Sequence, residues 1–207
     1  PPGARHPRRM RLEAHVDIAR AKLRKATVVR SIAERLDGGR SFLVAQPMGR
    51  PRLWAPSTTA VLEGFTAGLA TARDARGTEK LRTAIGSARD RLVARCETLI
   101  ERDLPDVGLV AAVLDGAELH VHALGPCRAY LHRRRRTERI TSRDEEPGGL
   151  LVRASFEAKI ALDPGDLVLL GTLTAFTTTA VSRVSSVLEH DPETAAQVVA
   201  QLLTEPA

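Results

Sequence analysis

The sequence of 207 residues predicts an α+β fold, and three observations carry that reading. Val107 to Leu114 and Glu118 to Leu124 are two β-rich runs joined by Asp115-Gly116, a dipeptide suited to a tight hairpin turn. Ahead of them, two stretches repeat apolar residues at three- and four-residue spacing, as helices packed on a sheet do. Behind them, Asp163-Pro164-Gly165-Asp166 is turn chemistry opening onto the apolar run Leu167 to Leu170, a strand expected to be buried on both faces.

The length supports one domain with a sizeable core. The apolar share is 43%, and Phe, Trp and Tyr together number 4, 1 and 1, so the core must be built mainly of Val, Leu, Ala and Ile. No apolar run approaches the roughly 18–20 residues of a membrane span, and no apolar stretch follows the basic N-terminus as a signal peptide requires. A cytoplasmic protein without a membrane role is the expectation. The net charge of +6 permits an acidic partner, but 31 basic and 25 acidic residues are interspersed along most of the chain. Cys96 and Cys127 form no C-x-x-C pair and no metal spacing, and are expected as free thiols.

In chain order, residues 1–11 (PPGARHPRRMR) lack periodicity and are expected to be a basic arm ahead of a single domain over 12–207. From Leu12 the apolar residues alternate through Ala14, Val16 and Ile18, which suits a half-buried first strand. Ser41 to Ala45 reads as a buried strand. Ser57 or Thr58 is placed to cap a helix running to about Arg73, with Val61, Leu62, Phe65 and Leu69 on one stripe. Gly77 breaks that pattern. A second helix from about Glu79 carries Leu81, Ile85, Ala88, Leu92, Cys96, Leu99 and Ile100 until Pro105.

After the hairpin, Arg133 to Arg136 are four consecutive arginines, which cannot all be buried; a solvated turn or an anion-binding patch suits them. His120 and His122 share a face of their strand, but no carboxylate or thiol stands at metal-ligand spacing, so ordinary strand histidines are expected. Asp144 to Gly149 reads as a loop. Phe176 to Leu188 and Pro192 to Leu203 read as helices, the second capped by Asp191 with Glu193 in its first turn.

Several of these segments resemble the metal-dependent Ser/Thr protein phosphatases, the PPM or type-2C family. Leu162, Pro164, Gly165, Asp166, Leu169 and Leu170 match its L-x-P-G-D-x-x-L-L segment. Gly125-Pro126-Cys127-Arg128-Ala129-Tyr130-Leu131 matches its G-D-S-R-A-Y-L at five of seven positions. Met48 and Gly49 fall in its D-G-M-G-G segment, and Ile140-Thr141 matches an I-T strand end. The resemblance implies an αββα sandwich, two packed, mainly antiparallel sheets flanked by helix pairs. It also implies a two-metal site, in which a water bridged by two divalent ions attacks phosphoserine or phosphothreonine.

The positions at which the family binds metal carry none of its acids. With Arg24 on the Arg of R-x-x-N-E-D, Thr27, Val28 and Val29 stand where Asn, Glu and Asp are expected. Gln46 replaces the metal-bridging Asp, and Pro47 replaces a Gly whose carbonyl ligates metal. Pro126 and Leu173 replace further acids, Leu173 within Thr172 to Ala175 where the family has S-D-G-L. The long helical flap of active relatives is missing or minimal between Thr141 and Val152, and the family's final D-N-x-T strand is not found, so either the sandwich lacks its last strand or a partner or further sequence supplies it.

The resemblance therefore implies a pseudophosphatase with no catalytic residue, no metal and no cofactor. Its expected role is to bind a protein partner, a Ser/Thr kinase or a phosphoprotein being the natural candidates, with Arg133, Arg134, Arg135 and Arg136 as the contact. Homo-oligomers are compatible with a missing edge strand. Two alternatives stand beside this: a divergent phosphatase using acids such as Asp17, Asp37 or Asp144, and a basic nucleic-acid binder, against which the scarcity of aromatics argues.

Overall fold

In the computed structural model the described residues are 31–99, 105–142, 148–151, 155–173, 176 and 181–188. Eight strands and three longer helices occur among them: β1 Ile32–Leu36, β2 Ser41–Met48, α1 Pro51–Thr71, α2 Gly77–Glu97, β3 Asp106–Asp115, β4 Glu118–Leu124, β5 Cys127–Arg133, β6 Arg136–Arg139, β7 Phe156–Ala161, β8 Leu167–Thr172 and α3 Val181–Leu188. The strands form two antiparallel sheets, one ordered β1-β2-β3-β4-β7 and the other β6-β5-β8.

Strand alternation builds the layers. Leu43 and Ala45 of β2, with Leu109, Ala111 and Val113 of β3, point to one face, where they meet Val61, Phe65 and Leu69 of α1 and Leu81, Ile85 and Leu92 of α2. The intervening Val110 and Ala112 point the other way and pack with Val121 and Ala123 of β4 against Cys127 and Ala129 of β5. The result is a helix pair on a five-stranded sheet, which lies on a three-stranded sheet. On the second sheet α3 lies against β6, where Thr137 Oγ1 and Ser185 Oγ are 2.5 Å apart. This is the expected α+β sandwich of two packed antiparallel sheets.

Helix α1 starts at Pro51 and therefore earlier than Ser57 or Thr58. Pro51 suits the first helical position, where its missing N–H has no partner to lose. The two hydroxyls donate within the helix instead, Ser57 Oγ to the Leu53 carbonyl at 2.6 Å and Thr58 Oγ1 to that of Trp54 at 2.9 Å. Helix α2 ends at Glu97, short of Pro105, and Thr98 Oγ1 donates to the Arg95 carbonyl at 2.7 Å as the helix closes. Leu167 to Leu170 are half-buried rather than fully buried, because β8 has a single hydrogen-bonded neighbour, β5, among the described residues.

The strand expected over Leu12 to Ile18, Arg24, Thr27, Val28 and Val29, and the helix over Pro192 to Leu203, lie outside the described residues. Among the described residues no helix is long and apolar enough to cross a membrane.

Candidate functional site

Four segments meet where β2, β5 and β8 approach one another, and they carry three of the positions singled out in the sequence. Gln46, near the end of β2, is in register with Gly108 of β3. Gly108 has no side chain because the β4–β5 turn lies on it: a Cβ there would sit 2.4 Å from Cδ of Pro126. Pro126 in turn holds the end of β8, its carbonyl accepting from the Leu173 N–H at 2.7 Å. Cys127, next in sequence, is fully buried, and its thiol lies against the backbone of Gln46 and Val110. Positions as far apart in sequence as 46, 126 and 173 are thus brought to one place.

Pro47 belongs to the same end of β2. It is buried and aligned with Val107, past the point where β1 stops pairing at Ala45. A proline is tolerated there because the strand has a partner on one side only among the described residues.

The donor set among the described residues here does not fit a hard divalent cation. Such an ion takes charged oxygen ligands, commonly several carboxylates. Here Gln46 offers one neutral amide oxygen, Oε1, which is buried and has no hydrogen-bond partner among the described residues. Pro126 and Leu173 have no ligating side chain. Burial pushes the Cys127 thiol up to about 12, so it stays protonated at neutral pH. No cluster of three or more His, Cys, Asp or Glu with metal-binding geometry occurs among the described residues.

The acid closest to this end of the sheet in register is Asp106, opposite Met48. Its oxygens are engaged with backbone: Oδ1 accepts from Val107 N at 2.7 Å and Leu151 N at 3.1 Å, and Oδ2 from Gly149 N at 2.7 Å. Asp106 therefore fastens the loop at 148–151 to β3. Sequence reasoning missed this role, although an Asp before a strand and the pair Gly148-Gly149 were the available signals. Asp37 is held by Lys80 Nζ at 2.7 Å beside the opposite end of β2. Asp17 and Asp144 lie outside the described residues.

The arginine run occupies the other end of β5. Arg133 pairs with Arg136 across the β5–β6 hairpin, and Arg134 and Arg135 form its tip. Cys127 and Arg133 are the first and last of the seven residues of β5, roughly 20 Å apart at about 3.3 Å per residue, so the arginines are not part of the Gln46–Pro126–Leu173 cluster. Arg133 is engaged. Its Nε donates to Asp166 Oδ1 at 2.9 Å, its Nη2 donates to Asp166 Oδ2 and to the Ala161 carbonyl, the latter at 2.7 Å, and Asp163 lies 3.7 Å away. The hydrogen bond from Arg133 holds the Asp166 carboxyl below its usual range. Arg134, Arg135 and Arg136 are exposed.

His120 and His122 are buried between β4 and α2. Thr78 Oγ1 lies 2.8 Å from His120 Nδ1. His122 Nδ1 stands 3.4 Å from Glu157 Oε1, an oxygen already accepting from Arg82 Nε at 2.8 Å. Burial pushes the His122 imidazole below its ordinary range, with Glu157 opposing and Arg82 and Arg89 adding to the shift.

No protein-family model matches the sequence, and no curated protein matches it. Solved structures do match. The serine/threonine phosphatase PstP/Ppp of Mycobacterium tuberculosis superposes with a TM-score of 0.73 at 17% identity, over 90% of this chain and 89% of that one. The catalytic domain of PstP in complex with 2 manganese ions gives 0.73 at 19% identity, over 90% and 89%. PppA of Pseudomonas aeruginosa, described as a key regulatory component of T6SS, gives 0.69 at 20% identity, over 86% and 85%. At such identities the likeness concerns the fold, and together with the two packed antiparallel sheets and the overlying helix pair it assigns this chain the fold of the PPM Ser/Thr protein phosphatases.

Proposed function

We propose that this chain is a catalytically inactive PPM-like protein, a pseudophosphatase that serves as a protein-binding, scaffolding or regulatory module in phospho-signalling. The observation that carries the reading is the convergence of Gln46, Pro126 and Leu173 at one end of the sandwich with no carboxylate among them. Two-metal hydrolysis needs anionic ligands to hold the ions that activate water and neutralise the developing charge on phosphate. A neutral amide, a proline ring and a leucine supply none of that. Meanwhile residues that shape the same region are retained: Gly125 at positive φ, and Arg128 donating to the Gly125 and Cys127 carbonyls. Loss of the acids at the ligating positions, with the turn residues beside them kept, fits binding without hydrolysis.

The partner in this reading is a protein, a Ser/Thr kinase or a phosphoprotein. PppA, a neighbour in fold, is described as a regulatory component, which gives a regulatory role on this architecture a parallel. The test is hydrolysis of a phosphothreonine peptide by the purified chain with millimolar manganese or magnesium. The expected result is no release of phosphate above a metal-only control. Metal-dependent release that a chelator abolishes, and that Gln46→Ala reduces, refutes the proposal.

A further inference from the structure

We infer that the β5–β6 hairpin is a docking element for phosphorylated, acidic protein segments, contacted by Arg134, Arg135 and Arg136 and held in position by Arg133. The inference rests on the non-hydrolytic reading above and gives its partner a chemistry.

The backbone supplies the first argument. Arg134 and Arg135 take φ of +50° and +65° in a two-residue turn closed by the pair Arg133 and Arg136. Such a turn needs positive φ at both central residues and favours Asn-Gly, which adopts it at little cost. Bulky side chains there are strained, and strained backbone concentrates where function requires it. A hairpin needing only to turn has better residues available at each of these positions.

The mounting supplies the second argument. Arg133 is tied to Asp166 and to the Ala161 carbonyl, so its charge is largely neutralised and its side chain clamps the tip to the β7–β8 turn. Across the hairpin from β5, His132 Nδ1 and Thr137 Oγ1 of β6 are 2.8 Å apart, and Thr137 in turn meets Ser185 of α3. The base is braced on both faces, and Arg134, Arg135 and Arg136 beyond it are exposed residues. Rigid presentation of planar forks suits phosphate and carboxylate oxygens, which guanidinium binds in bidentate fashion.

The surroundings choose between classes of anion. Tyr130, the only tyrosine, is packed on Phe176 with ring centroids 4.7 Å apart, so it is no platform for base stacking. Three arginines around a two-residue tip span one phosphate and its acidic neighbours, rather than the row of phosphates that a nucleic-acid strand presents.

The experiment titrates the whole chain, in chelator, with a fluorescent acidic peptide bearing one phosphothreonine. Its unphosphorylated form and a single-stranded RNA decamer serve as comparisons. The phosphopeptide is expected to bind at least about tenfold more tightly than either. Arg134→Asn with Arg135→Gly relieves the turn and removes two forks. It is therefore expected to raise the melting temperature by about 3 °C or more while weakening the phosphopeptide about tenfold or more. Arg134→Lys with Arg135→Lys keeps charge and strain, and is expected to weaken binding severalfold at unchanged melting temperature. Unchanged binding in the Asn-Gly variant, or RNA bound as tightly as the phosphopeptide, overturns the proposal. Release of phosphate when manganese replaces the chelator refutes instead the non-hydrolytic reading and leaves the docking result standing.

Discussion

Gly77 opens α2 with a φ of +51°, and a Cβ there would lie 2.6 Å from the His120 ring. The imidazole lies close beneath the first turn of the helix, with Thr78 Oγ1 2.8 Å from Nδ1. Gly77→Ala is therefore expected to destabilise the fold by about 1–3 kcal/mol in urea melts, from strain at positive φ and from the collision together. Adding His120→Ala is expected to recover part of that loss, because only the collision is shared between the two positions. A few positions along β4, His122 makes the stability depend on pH. Its folded pKa lies below the unfolded value of about 6.5, so the unfolded chain binds the proton more readily. Its contribution is whole above that value and is lost as the pH falls through the folded pKa. Stability is expected to decline from pH 7.5 to 5.5 by at most about 1.4 kcal/mol per pH unit from this group, and His122→Gln to flatten the decline. An unchanged profile in that variant contradicts the assignment.

At the scale of elements, α1 and α2 approach closely because two glycines let them. A Cβ on Gly64 would lie 2.7 Å from the Ala88 Cα, and one on Gly68 2.6 Å from the Ala84 Cα. Gly68→Ala improves helix propensity by about 1 kcal/mol yet pushes on backbone that cannot move aside, and overpacking of that kind costs about 1–3 kcal/mol. A net fall in melting temperature is the expected outcome; a rise contradicts the packing described. These helices were readable as elements because Val61, Phe65 and Leu69 keep one period and Leu81, Ile85, Ala88 and Leu92 keep another. Their ends were not, since Ser57 and Thr58 resemble caps but bond back along α1. The Asp115-Gly116 hairpin was legible from a dipeptide alone. Strand β1 was missed because Glu34 and Arg35 interrupt its short apolar pattern, although Asp37-Gly38 marked the turn after it.

At the scale of the molecule, the family's spacing located Gln46, Pro126 and Leu173, and the fold brings them together from three distant segments. Turn glycines and apolar strand residues follow from backbone geometry and burial, which is why the architecture was legible. Pairings across the fold were not: Asp106 fastening Gly149 and Asp166 gripping Arg133 depend on which loops meet, and nothing in local sequence fixes that. The Gln46–Pro126–Leu173 cluster offers no charged ligand, and calorimetric titration of the purified chain with manganese reads that out. No binding heat up to millimolar metal is the predicted result, because one amide oxygen, a protonated thiol, a proline and a leucine cannot replace carboxylates. Tight binding near two equivalents would contradict the account and return the chain to the metal-dependent enzymes whose fold it shares.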